Sequence, residues 1–197
     1  MSKNSLLRHR IKFIALVLVF VSPFIAGWMA LYVFELKPES SNYGFLVQPV
    51  KELQWPPLEA VTGELYENGF GQTWKFLLFA RGSCSRQCQS NLFYMRQIRT
   101  LLGRDTPRLQ NVLIISGVVD AELKAFLNDY PNLIVIQRNS EKLVSQFQEA
   151  GVERIGSTPR LYLVDPDNNY MMNYPAEIDH YRVLDDIKKL MKLSQIG

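Results

Sequence analysis

Cysteine is nearly absent from this chain: 197 residues hold only Cys84 and Cys88. Two cysteines cannot build the multi-bridge framework of small secreted domains, so the fold must rest on an apolar core. The 47% hydrophobic content is ample for one. Histidine is equally scarce, at His9 and His180, and no H-E-x-x-H occurs. Phosphate-binding glycine loops, EF-hand loops and nucleophile elbows are missing as well. There is no internal repeat and no low-complexity stretch. No acidic residue occurs in the first 34 positions, and residues 13–34 carry no charge of either sign.

That uncharged run of 22 residues, Phe13 to Phe34, is long enough to cross a bilayer, which takes about 20. Pro23 and Gly27 interrupt it, and membrane helices tolerate both. Trp28 and Tyr32 stand toward the far end, where aromatic side chains favour the interface. Lys3, Arg8, Arg10 and Lys12 precede the run, and the positive-inside bias places this flank in the cytoplasm and everything after residue 34 outside. A cleaved signal peptide has a shorter core of about 7–15 residues and a small-x-small site. Trp28-Met29-Ala30 is a poor one. The reading is a single-pass anchor in a bacterial inner membrane, with the C-terminal part on the periplasmic side.

All 19 acidic residues follow the span, against 18 of the 22 lysines and arginines. The exported part is thus near neutral, and the basic pI of about 8.8 comes from the membrane flank. Nucleic-acid binding is not indicated. The organisation reads as a basic flank over 1–12, an anchor over 13–34, a Pro-, Ser- and Asn-rich tether over 35–57, and one domain over 58–197.

Within that domain, Thr62-Gly63 and Asn68-Gly69 mark turns of a short hairpin over 58–72. Residues 75–80 read as a buried strand and 87–102 as a helix, with Leu92, Met95, Ile98, Leu101 and Leu102 at spacings of three and four and Gly103 ending it. Strands follow at 112–116 and 133–136. A helix capped by Asp120 lies between them, and one capped by Ser140 follows at 141–150. Strands 160–164 and 170–174 form a terminal hairpin around Pro166, with Asp165 and Asp167 as turn formers. An amphipathic helix over 183–193 closes the chain, with Asp185 and Asp186 at its acidic start. The fold class is α/β, a sheet with helices on both faces.

Cys84-Ser85-Arg86-Gln87-Cys88 sits between the first buried strand and the first helix. Positions i and i+4 share a helix face with Cβ atoms roughly 5–6 Å apart, so the two thiols can close into a disulfide or clamp one soft metal ion. A helix N-terminus favours thiolate. Arg81 and Arg86 flank the pair. A disulfide closing so short a loop removes little chain entropy, which argues for a functional pair rather than a passive staple.

The order of elements resembles the thioredoxin fold: a cysteine motif after the first long strand, Thr158-Pro159 before the terminal hairpin, and a final helix. In that fold the proline facing the motif is cis, and Pro159 holds its place. Further details resemble the Sco/SenC family of copper chaperones for cytochrome oxidase. These are the single anchor, the C-x-x-x-C motif, and Tyr162-Leu163-Val164-Asp165-Pro166-Asp167, similar to a Tyr-Leu-x-Asp-Pro-Asp hairpin of that family. The resemblance implies site residues Cys84, Cys88 and Pro159. It also implies Cu(I) as cargo held by both cysteines, and as partner a respiratory oxidase subunit or another copper-assembly protein. The family's third ligand is a histidine before the hairpin. Here Ser157 stands near that place, in Gly156-Ser157-Thr158-Pro159-Arg160.

His180 is the one histidine beyond the span and the remaining candidate third ligand, although its place before the last helix reads as a loop or capping residue. Met171 and Met172 carry thioethers, but they alternate in a strand, so one of them belongs to the core. Three functions follow. The first is a thiol–disulfide oxidoreductase assisting assembly of an oxidase copper site, with Cys84 the exposed attacker and Cys88 the more buried resolver. The second is a Cu(I) metallochaperone, and the third a non-catalytic assembly scaffold.

Overall fold

The computed structural model describes residues 3–33, 42–67, 69–81, 84–117, 119, 121–138, 141–150 and 158–194. The expected features at Asn68, Asp120, Ser140, Gly156 and Ser157 lie outside them. The chain divides into two compact units, Met1–Ser41 and Asn42–Gly197.

The first unit holds helix α1 (Lys3–Tyr32). Its stretch His9–Met29 has a mean hydropathy of 2.1 and buries nothing, so it is long and apolar enough to cross a membrane. Pro23 has no N–H for the carbonyl of Val19, four residues back. The Ser22 hydroxyl donates to that carbonyl instead, at 3.1 Å. Trp28 and Tyr32 stack with ring centroids 5.6 Å apart.

The second unit is built on an eight-stranded mixed sheet in the order β1-β8-β7-β4-β5-β6-β2-β3. Its centre is β4 (Trp74–Arg81), buried at every residue but the last. It pairs in parallel with β5 (Leu109–Ser116), which pairs in parallel with β6 (Leu133–Arg138). On its other side β4 meets β7 (Leu161–Val164), which forms the expected terminal hairpin with β8 (Asn169–Asn173). Asp165 accepts from Asn169 N at 2.7 Å and from Asn169 Nδ2 at 2.9 Å, as a turn former should. β2 (Leu58–Ala60) and β3 (Leu65–Tyr66) make the short hairpin, and β2 joins it to β6 in antiparallel pairing.

Two parallel crossovers, through α2 (Arg86–Leu101) and α3 (Ala121–Leu127), step the same way across the sheet. One handedness therefore puts both helices on one face, where α5 (His180–Leu193) joins them. Helix α4 (Glu141–Glu149) covers the opposite face through Leu143 and Phe147. A bulge between Leu163 and Val164, with Met171 as the extra residue on β8, lets Tyr170 face α4 while Met172 faces the α2 and α5 side.

One boundary is corrected. The compact unit begins at Asn42, and the stretch expected as tether contains β1 (Phe45–Glu52), antiparallel to β8. Its lead-in is pinned by Asp186, whose carboxylate accepts from Tyr43 N and Gly44 N at 2.9 Å each. Gly44 permits the approach, because a Cβ there would lie 2.3 Å from Met172 Sδ. Asp186 is thus a buried tertiary anchor rather than the helix-start charge the sequence suggests.

Candidate redox site

The cysteines sit where the central strand hands over to α2. Ser85 is the N-cap, its hydroxyl accepting from Cys88 N at 3.3 Å. Cys88 is the third helical residue. Cys84 precedes the cap, so the expected shared helix face becomes one residue inside the helix and one just before it. Their Cα atoms are 5.3 Å apart and the sulfurs are joined in a disulfide. Gln89 fastens the outer end, donating from Nε2 to Cys84 O at 3.1 Å.

The expectation of an exposed Cys84 is corrected. Cys84 retains 5% of its surface and Cys88 2%, both inside the cluster that includes Leu92, Met95 and Ile98. The order of exposure is as expected; the level is lower. Arg86 and Arg81 are both exposed.

Pro159 lies beside the cysteine helix, where its carbonyl accepts a hydrogen bond from Asn91 Nδ2. The Thr158–Pro159 bond is trans, against the cis expectation; the cis X-Pro bond among the described residues is Gln48–Pro49. Arg160 N donates back to Thr158 O at 2.8 Å, so Pro159 is the middle of a three-residue turn.

His180 is also relocated. It is the first residue of α5, behind the N-cap Asp179, and its ring stacks on Tyr94 at 5.0 Å between centroids. Tyr94 is six residues past Cys88, about 9 Å along the helix at 1.5 Å per residue. Met172 is fully buried in the core. Among the described residues no three His, Cys, Asp or Glu side chains gather in a metal-binding group. Two sulfurs suit Cu(I) at low coordination number, but no described His, Asp or Glu joins them as a third ligand.

Sequence reasoning passed over Gln87 and Asn91. The buried face of α2 runs Cys88, Asn91, Leu92, Met95, Ile98. A polar residue inside an apolar stripe was the available signal, since a buried amide must find partners.

The fold has counterparts among solved structures. Yeast Sco1 with copper bound superposes with a TM-score of 0.59 at 19% identity, over 73% of this chain and 91% of that one. BsSco of Bacillus, a Sco-family cytochrome c oxidase assembly protein with a disulfide switch, gives 0.56 at 14%, over 74% and 96%. Mycobacterium tuberculosis (MTB) dsbF, in mixed oxidised and reduced forms, gives 0.53 at 15%, over 70% and 96%. At such identities the likeness is one of fold, and the fold is thioredoxin-like. No curated protein sequence matches the chain. The sequence itself carries the signature of that fold over residues 74–194, and through it the chain belongs to the family described as transmembrane-like, thioredoxin-like, C-terminal domain.

Proposed function

We propose that this protein is a membrane-anchored, exported thiol–disulfide protein that keeps the copper-site cysteines of a respiratory oxidase subunit, or of another copper-assembly protein, in the reduced state. The observation that carries the reading is the Cys84–Cys88 disulfide, which joins the residue before a helix cap to the first helical turn in a thioredoxin-like fold. In the dithiol form, Cys84 thiolate attacks a partner disulfide and one partner sulfur leaves as thiolate. Cys88 then attacks the mixed disulfide, releasing the second partner thiol and restoring Cys84–Cys88. Two electrons pass to the partner, and an external dithiol returns them. Pro159, beside α2, borders the docking surface.

A Cu(I)-carrying reading is favoured by one observation, the fold shared with a Sco1 that has copper bound. The two readings part in a competition titration of the reduced full-length chain in detergent against a Cu(I) chelator, with disulfide exchange followed in parallel. Cys84→Ser and Cys88→Ser are each expected to abolish exchange and any Cu(I) retention. His180→Ala is expected to change Cu(I) affinity by less than about twofold, because that ring is engaged with Tyr94. A tenfold or larger loss in His180→Ala would establish a three-ligand copper site and the chaperone reading. Failure of the oxidised protein to exchange with any dithiol would leave a scaffold.

The anchor reading has its own test. With the basic flank inside, a membrane-impermeant thiol reagent should label the cysteines in intact cells after mild reduction. Labelling that appears only after lysis reverses the orientation.

A further inference from the structure

Two side-chain amides bracket Cys88 and reach away from their own helix. Asn91 is fully buried. Its Nδ2 donates to Pro159 O and, at 2.9 Å, to Ala176 O. Gln87, one turn earlier, donates from Nε2 to Ala176 O at 3.1 Å and to Asn91 Oδ1 at 3.2 Å. Three chain segments meet there: the first turns of α2, the Pro159 turn before β7, and the stretch between β8 and α5. The Pro159 turn is closed on itself by the Arg160–Thr158 hydrogen bond, so it hangs on Asn91 as a unit.

We infer that Asn91 is a positioning residue for the disulfide chemistry. It holds the start of α2, and with it Cys88, in place when the sulfur–sulfur bond opens. This rests on the exchange reading above. In the oxidised form the bond itself fixes Cys88 against Cys84. In the dithiol form that constraint is gone, and the amide contacts to Pro159 and Ala176 remain. A first turn that stays in place keeps each thiol at a high effective concentration for the other, which favours closure. Without Asn91 the dithiol form gains freedom, so the disulfide becomes easier to reduce. The Pro159 carbonyl also loses the Asn91 donor, and the Ala176 carbonyl keeps only that of Gln87.

The test equilibrates the full-length chain in detergent with glutathione buffers. The protein disulfide takes two electrons and two protons from two glutathione thiols, which join as glutathione disulfide. Asn91→Ala is expected to shift this equilibrium about tenfold toward the dithiol, a rise of about 30 mV in reduction potential. Gln87→Ala, which keeps both Asn91 donations, is expected to shift it by no more than about twofold. Asn111→Ala is the structural control: Asn111 is buried and donates to Met95 O at 3.0 Å on the same helix, so its loss should lower Tm and leave the equilibrium unchanged. Should Asn91→Ala not fold, Asn91→Ser keeps one donor and is expected to shift the equilibrium by a smaller factor. A wild-type equilibrium constant in a folded Asn91 variant, whatever its Tm, overturns the inference alone. A wild-type chain that does not equilibrate with glutathione overturns the exchange reading and the inference with it.

Discussion

Phe147→Ala is expected to lower the unfolding free energy by about 4 kcal/mol and to leave the Cys84–Cys88 exchange equilibrium at its wild-type value. Phe147 is fully buried on the sheet face opposite the disulfide. Its ring contacts Phe79 at 5.2 Å, Tyr162 at 5.4 Å and Tyr170 at 4.8 Å between centroids. Helix α4 has nine residues, too few to persist by itself, and Leu143 and Phe147 are the anchors that hold it. Removing one ring takes away buried apolar area and aromatic edge contacts and leaves a cavity between three rings that cannot all collapse into it. Against a usual total of about 5–15 kcal/mol the loss is large, and it should lower Tm by roughly 10 °C. Urea unfolding of the full-length chain measures it. A cost below about 1 kcal/mol would mean that α4 is not fastened to the sheet as described.

What the sequence made legible follows from where each element lies. Strand β4 and helix α2 sit at the centre, and burial on that scale imposes an apolar run, Phe76–Ala80, on one and a stripe on the other. Both were therefore readable to within two residues at each end. Strand β1 lies at the sheet edge, exposed at most positions and with Pro49 inside it. Edge strands tolerate both, so no period marks it. Its place is set by Asp186, more than 140 residues away in sequence. The burial of Cys84 was hidden for a similar reason, because it depends on side chains such as Leu123, Ile178 and Val183 that pack into the same cluster from distant segments. The isomer of the Thr158–Pro159 bond is likewise a tertiary matter. The start of α5 was legible in principle: Asp179, accepting from Tyr181 N and Arg182 N, is an ordinary N-cap. The apolar period begins only at Val183, and the helix was read from there.

Stability is expected to rise between pH 8 and 10 and to fall above pH 10, and Lys75→Met should remove the rise while keeping the fall. Lys75 has no exposed surface, although it lies in the central strand. Its Nζ donates to Asn168 Oδ1 at 2.8 Å and to Asp165 O at 3.2 Å, under the Trp55 ring at 5.9 Å. Burial pulls its pKa down from 10.5 to about 8, against the opposing pull of the Asp165 and Asp167 charges. Between these values the unfolded chain binds the proton that the folded chain has released, so unfolding free energy increases with pH across that window. The stability gained at high pH is lost as pH falls through about 8. The gain is on the order of 2 kcal/mol between pH 8 and 10. Buried phenols act in the other direction. Burial raises Tyr170 and Tyr174 above the ordinary value of 10, and burial with the Glu64 hydrogen bond raises Tyr66 to about 12. Above pH 10 the unfolded chain sheds these protons while the folded chain keeps them, and stability declines. Urea midpoints from pH 7 to 12 should therefore peak near pH 10 in the wild type and decline from a flat plateau in Lys75→Met. A wild-type profile flat from pH 8 to 10 would show that the Lys75 ammonium keeps its proton inside the folded protein.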